Sequence, residues 1–218
     1  MSATPRRPPR KHARRDISDA PEVRLSKLLS YLLRHGAAAE GLTLRPDGSI
    51  LVSELQKHNK LTTTTFEQIK HVVDTNDKKR YALFQERDVG GNMAWYIRAT
   101  QGHSVELKKP PLVLLTQETM PRCIVHGTIK GNVAAIRKTG LSRMNRTHIH
   151  FASGLYGEEG IVSGMRATSD AYIYIDIAKA TKDGIQFYTS ENNVILSKGL
   201  GDSGVIPPAY FEKIVFKE

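Results

Sequence analysis

Arg24-Leu-Ser-Lys-Leu-Leu-Ser-Tyr-Leu-Leu-Arg-His35 sets five leucines along one side of a helix and ends on a cation beside an imidazole. Leu25, Leu28, Leu29, Leu32 and Leu33 fall at i, i+3, i+4, i+7 and i+8, the apolar stripe of an amphipathic helix that packs on a core. Gly36 then predicts the stop, because glycine takes the left-handed conformation found just past many helix ends. The closing pair, Arg34-His35, joins two groups suited to phosphate chemistry. A guanidinium grips an oxyanion with two parallel donors and keeps its charge, and an imidazole moves a proton near neutral pH.

Beyond this helix, Leu42-Thr-Leu44 and Ile50-Leu-Val52 flank the turn Arg45-Pro-Asp-Gly48 and read as short strands. Residues 53–58 read as a short helix. Thr65 caps a further one, with Phe66, Ile69, Val72 and Val73 on its inner face. Arg80-Tyr-Ala-Leu-Phe84 and Ala94-Trp-Tyr-Ile-Arg98 predict a hairpin across Gly90-Gly91. Helix, strand, helix, helix, hairpin is the order of a winged-helix lobe, expected over residues 21–107. Lys108-Lys-Pro-Pro111 marks a boundary. After it, residues 108–218 predict strands at 124–126, 148–151, 172–177, 185–188, 194–197 and 213–216, with helices at 131–139 and 158–165. The expected class is α+β, two lobes with a catalytic cleft between them, and 218 residues suffice for two cores.

The chain carries 32 Lys and Arg against 22 Asp and Glu, a net charge of +10 that favours a polyanionic partner such as nucleic acid. Residues 1–15 hold six Arg or Lys, three prolines and no acid, so residues 1–20 read as a disordered basic tail. A solvated arm, an RNA-gripping arm and a nuclear import signal all fit that composition. The single cysteine, Cys123, sits in an apolar run and reads as a buried, inert thiol in a reducing compartment. No run of 18 apolar residues occurs, so no membrane span is expected; the charged start lacks the apolar segment of a secretory signal. Cytoplasm, nucleus or both is the expected location. His148 and His150 would share a strand face, but no carboxylate or cysteine stands at ligand spacing, so no metal is expected. Walker, dinucleotide-binding, kinase and nucleophile-elbow signatures are all missing.

What remains is a series of polar motifs: Asp77-Lys-Lys-Arg80, Gln101-Gly-His-Ser104, His126-Gly-Thr128 and Asn145-Arg-Thr-His-Ile-His150. Each alone has an ordinary structural explanation, such as a polar helix end for Arg34-His35 or a core histidine for His126. As an ordered set, with the leucine-rich helix and Val162-Ser-Gly-Met-Arg166, they resemble the NAD-dependent RNA 2′-phosphotransferases across residues 23–216. The resemblance implies an RNA-binding winged-helix lobe followed by an ADP-ribosyltransferase-like lobe that binds NAD. It implies a catalytic tetrad of Arg34, His35, Arg80 and Arg146. Arg143 is the nearby rival for the last place but lacks the family's spacing to the His-Ile-His strand. It also implies cofactor contacts from His126, Gly127, Thr128 and Ser142, with Arg166 a further candidate. Arg98, His103 and Ser104 are open between RNA phosphate and cofactor. Two departures stand out. Ile149-His-Phe-Ala152 replaces the family's usual Val-His-Leu-Ser, removing a hydroxyl unless Ser153 substitutes. Val194 stands where many ADP-ribosyltransferases have a catalytic glutamate, as in the phosphotransferases, which argues against ordinary protein ADP-ribosylation.

The implied substrates are tRNA or other RNA bearing a 2′-phosphate at an internal linkage, and NAD as co-substrate, handled by a monomer without metal or membrane. Fungal members finish tRNA splicing this way. In step one the 2′-phosphate displaces nicotinamide, giving 2′-phospho-ADP-ribosylated RNA. In step two the ADP-ribose 2″-hydroxyl attacks the phosphorus, freeing a 2′-hydroxyl and ADP-ribose 1″,2″-cyclic phosphate. Arg34, Arg80 and Arg146 would hold the phosphate and His35 would move the proton. Two rivals compete: a winged-helix nucleic-acid binder without activity, and an ADP-ribosyltransferase that caps terminal phosphates and stops after step one.

Overall fold

The computed structural model describes residues 20–158, 161 and 164–217. The expected basic tail therefore lies outside the described residues, except Ala20, as do Val162 and Ser163 of the last motif.

The leucine stripe forms helix α1 (Pro21–Tyr31), opened by a proline at its first turn with Glu22 beside it. It does not stop at Gly36. It widens into one π turn, Leu32–Gly36, and the backbone stays right-handed at Ala37. The first left-handed residue is Gly41, with φ +72°. A Cβ at Gly36 would meet the ring of Tyr31, five residues back, and the ring would have to turn aside. The extra residue of the π turn lets Leu32, Leu33, Gly36 and Ala37 all bury, leaving Arg34 half-buried and His35 exposed.

Strand β1 is only Ile50–Leu51, and helix α2 (Val52–Gln56) follows at once. Residues 42–44 form no strand. Helix α3 (Phe66–Asp74) begins with the expected Thr65 cap, closed reciprocally: the Gln68 amide donates to Thr65 Oγ1 (3.2 Å) and the Thr65 amide to Gln68 Oε1 (2.9 Å). Strands β2 (Tyr81–Arg87) and β3 (Met93–Ala99) form the hairpin, and β1 pairs with β3. One core fills this half, with Leu29, Leu32, Leu33, Leu55, Leu61, Ile69 and Ile97 fully buried.

The second half has its own core around Ile124, Phe151, Ile173, Ile185 and Phe187. Its strands are β4 (Leu112–Leu114), β5 (Val125–Thr128), β6 (Leu141–Ser142), β7 (Ile149–Phe151), β8 (Ala171–Ile175), β9 (Tyr188–Ser190), β10 (Ile195–Ser197), β11 (Val205–Ile206) and β12 (Phe211–Phe216). They make sheets ordered β4-β9-β10-β7 and β12-β8-β5 and a two-stranded β11-β6. An isolated bridge, Val125 to Ala152, joins the two larger sheets. Helix α4 (Lys130–Thr139) follows β5, and α5 (Ile177–Lys182) follows β8 behind an Asp176 cap. The sequence reading missed β4, β6, β11 and α5, and its strand at 185–188 meets β9 only at Tyr188. Of the helix expected at 158–165, residues 159, 160, 162 and 163 lie outside the described residues, and the other four lie in bends and irregular chain.

The halves are tied together by specific bonds. Arg98 on β3 reaches Asp47 (2.8 Å) in its own half and both oxygens of Glu191 in the other (2.5 and 3.2 Å). Its guanidinium also stacks on Phe84, which stacks on Tyr96, which carries Arg45 on its far face. Asn192 donates to the Lys78 carbonyl (2.8 Å) and the Thr147 amide to the His103 carbonyl (3.0 Å).

Candidate active site

Three segments bring the sequence-nominated arginines together. The π turn supplies Arg34, the turn entering β2 supplies Arg80, and the turn entering β7 supplies Arg146. Two of these turns hold a non-glycine residue in the left-handed region, Lys79 (φ +44°) and Met144 (φ +55°). Such backbone is disfavoured for side-chain-bearing residues and is kept only where the surroundings enforce it. Here Thr100 bonds to Lys79 and Arg80 carbonyls (3.1 and 3.0 Å), and the Ser142 hydroxyl accepts the Met144 amide (3.0 Å).

The charges are close enough to disturb one another. Burial, then the proximity of Arg80 and Arg146, pushes Arg34 down to about 10, against a raising influence of Tyr81. Its Nε and Nη2 are buried without a hydrogen-bond partner. Buried donors are normally paired, so an orphaned guanidinium facing two others describes a site built for an anion. Arg146 is lowered by burial and then by Arg166, and Lys78 by burial, then Arg80 and Arg166, which extends the positive field to one side.

His35 lies at the rim. Its Nδ1 is 3.0 Å from Ser104 Oγ, while the Ser104 amide donates to the Arg34 carbonyl (3.0 Å). Ser104 thus orients the Arg34-His35 pair. Burial, then Arg34 and Arg146, lowers the His35 pKa and favours the neutral ring.

The rival Arg143 packs elsewhere. Its amide donates to Gly204 (2.9 Å) and its Nη1 to the Arg146 carbonyl (2.7 Å), so it braces the turn that presents Arg146. Arg98, open on sequence, is taken up by Asp47 and Glu191. His103 is buried, with Nε2 unpartnered and its pKa pushed down to about 4 by burial first and then by Arg34.

Of the nominated cofactor residues, His126, Gly127 and Thr128 are consecutive on β5. His126 Nδ1 donates to the His150 carbonyl (2.8 Å), leaving Nε2 as an acceptor; burial lowers its pKa. The smallness of Gly127 answers to chain packing, because a Cβ would stand 2.8 Å from Met165 Cβ and Ser169 Oγ. Thr128 accepts weakly from Asn132 (3.4 Å). Ser142 sits on β6, apart from that strand. Cys123 is half-buried, its thiol on the Ser153 carbonyl (3.2 Å) and its pKa raised by burial. Among the described residues no group of three His, Cys, Asp or Glu side chains could hold a metal ion.

One pair escaped sequence reasoning. His150 Nε2 lies 2.8 Å from Gln101 Oε1, and its Nδ1 lies 3.4 Å from Arg146 Nη1. The residues are 49 positions apart, and only the HxH pattern and the Gln-Gly-His-Ser motif hinted at either.

The combination of an arginine-lined anion site with neutral histidines defines a phosphate-handling protein, and comparison gives the family. Residues 20–199 match the RNA 2′-phosphotransferase family, Tpt1/KptA. The chain belongs to that family. It is 44% identical over 194 residues to tRNA 2′-phosphotransferase 1 of Danio rerio, covering 88% of this chain and 84% of the relative. Against the human protein of the same name identity is 42% over 193 residues (88% and 75%), and against tRNA 2′-phosphotransferase of Saccharomyces cerevisiae 37% over 207 residues (91% and 86%).

Proposed function

We propose that this protein transfers the internal 2′-phosphate of ligated tRNA to NAD, the last chemical step of tRNA splicing. The orphaned, buried guanidinium of Arg34 among the charges of Arg80 and Arg146 is the observation that carries this reading. Residues 21–107 would act as a winged-helix RNA lobe and residues 108–218 as an ADP-ribosyltransferase-like lobe, the protein working as a monomer in cytoplasm, nucleus or both.

The residues present suit the two substrates. NAD supplies an electrophilic ribose carbon with nicotinamide as a neutral leaving group. His126 Nε2, left as an acceptor, suits a ribose hydroxyl, and Arg166 extends the positive field for the pyrophosphate. In the first step the RNA phosphate is already anionic, so Arg34, Arg80 and Arg146 hold it in line and little proton movement is needed. In the second the phosphorus is attacked by a sugar hydroxyl. Neutral His35, oriented by Ser104, takes that proton and returns one to the departing RNA 2′-oxygen. The three guanidinium groups stabilise the charge that builds on the phosphoryl oxygens.

The test is incubation with NAD and a short, internally 2′-phosphorylated RNA, followed by mass analysis. Nicotinamide, 2′-hydroxyl RNA and ADP-ribose 1″,2″-cyclic phosphate are expected. A stable adduct on a 5′-phosphorylated strand, with no 2′-transfer, would favour terminal capping. RNA binding without nicotinamide release would reduce the protein to a nucleic-acid binder.

A further inference from the structure

We propose that His150 is a positioning residue: a neutral imidazole whose tautomer Gln101 fixes so that its Nδ1 lone pair holds the guanidinium of Arg146. The inference rests on the function proposed above and adds a residue to it.

The argument is one of donors and acceptors. A guanidinium has no acceptor, so the 3.4 Å approach of Arg146 Nη1 to His150 Nδ1 requires a lone pair on that nitrogen. The proton must then sit on Nε2, where Gln101 Oε1 stands at 2.8 Å to accept it. Both contacts demand the same tautomer, and the Arg146 contact is lost in the imidazolium, which donates from both nitrogens and keeps only its bond to Gln101. The surroundings keep the ring neutral. Burial, then Arg146 and Arg34, pushes it down to about 3. The titratable and charged groups facing it are Arg146 in the turn before β7, Arg34 on the π turn and His148 just before its own strand. His126 on β5 bonds its carbonyl, and the paired residue on β10 is the apolar Leu196.

The arrangement also crosses the molecule. Gln101 leaves the first half just after β3, whereas His150 and Arg146 belong to the second. Arg146 is therefore aimed only when the two halves sit in register, and a misplacement of about 1 Å can cost about 10²-fold in rate.

Single-turnover rates of nicotinamide release and of adduct decay, measured with NAD and 2′-phosphorylated RNA from pH 5 to 8, test this. His150→Phe should slow adduct decay by up to about 10²-fold and nicotinamide release far less, because the second step leans most on guanidinium charge. His150→Asn places an amide oxygen near the Nδ1 position and should recover most of the loss. Gln101→Glu presents a carboxylate to Nε2, stabilises the imidazolium and should add to the decay rate a second acid limb, at higher pH than the one the wild type owes to His35. That limb should vanish in the double variant Gln101→Glu, His150→Asn. Wild-type rates in His150→Phe, equal losses in both steps, or an unchanged profile in Gln101→Glu would each overturn the proposal. If His150→Phe does not fold, the Gln101→Glu profile decides. A wild type that transfers no phosphate would instead remove the function on which the inference rests.

Discussion

Arg34 is the residue at which stability and activity conflict. Two of its nitrogens are buried without a partner, and two like charges press on it. Replacing a buried, unsatisfied cation by an apolar side chain of similar length often stabilises a protein by about 1–4 kcal/mol. Arg34→Met should therefore raise the melting temperature of the free protein while reducing transfer by about 10²-fold or more. Unchanged or lower stability would mean that the guanidinium finds its partners in water. Arg80 and Arg146 differ in that each guanidinium is held by a side chain, Asn76 at 3.4 Å and His150 at 3.4 Å. Arg80→Ala or Arg146→Ala should slow the second step more than the first, so gels should show accumulated phospho-ADP-ribosylated RNA. Intact substrate with no intermediate would place those arginines in the first step instead. Lysine at either position keeps the charge but loses the fork, and should recover only part of the rate.

Elements decide which of these side chains arrive together. The π turn delivers Arg34 and His35 side by side, and β5 stands where the two larger sheets touch. Gly127 on β5 lies under Met165 and Ser169, both anchored near their backbone, so Gly127→Ala should overpack the strand at a cost of about 1–3 kcal/mol. At about 2–4 °C per kcal/mol for a chain of this size, a thermal melt will read the change. A wild-type melt with weakened NAD binding would show that the glycine serves only ligand approach. The α1 stripe, the Thr65 cap and the hairpin were legible in sequence because each is written in residues a few positions apart. The π turn was not, because glycine after a leucine stripe reads as a stop, whereas the packing of the Tyr31 ring against Gly36 is visible only in three dimensions. Strand β4 was hidden in a short run after two prolines, where pairing with β9 rather than propensity makes the strand. Helix α5 was hidden because Tyr172-Ile-Tyr-Ile-Asp-Ile177 alternates like one long strand. The four tetrad positions could be nominated from ordered motifs. The bonds that aim them, Gln101 to His150 and Ser104 to His35, span 49 and 69 residues and leave no local pattern.

At the scale of the whole molecule, the junction between the halves is filled with imidazoles in their neutral form. His103, His148 and His150 are pushed down to about 4, 4 and 3, with burial the leading cause in each. In the unfolded chain all three return to about 6.5. The unfolded state then binds more protons than the folded one between these values, so stability rises with pH there and is lost on acidification. Each histidine can contribute up to about 1.4 kcal/mol per pH unit across the window from about 6.5 down to its folded value. The carboxylates of Glu40 and Asp47 are lowered as well, but from a lower starting value. Glu40 is lowered by hydrogen bonds from Lys60 and His58; for Asp47, burial acts upward but bonds from Ser49 and Arg98 prevail. Their stabilising contribution is lost as pH falls from the ordinary carboxylate values toward the lowered folded ones, at the acid end of the histidine window. Urea midpoints should therefore hold near pH 7.5 and fall steeply between about pH 6.5 and about pH 5, before most carboxylates are protonated. A midpoint that stays level across that interval would mean that water reaches all three rings in the folded protein. The field that His150 needs to stay neutral beside Arg146 would then be absent too.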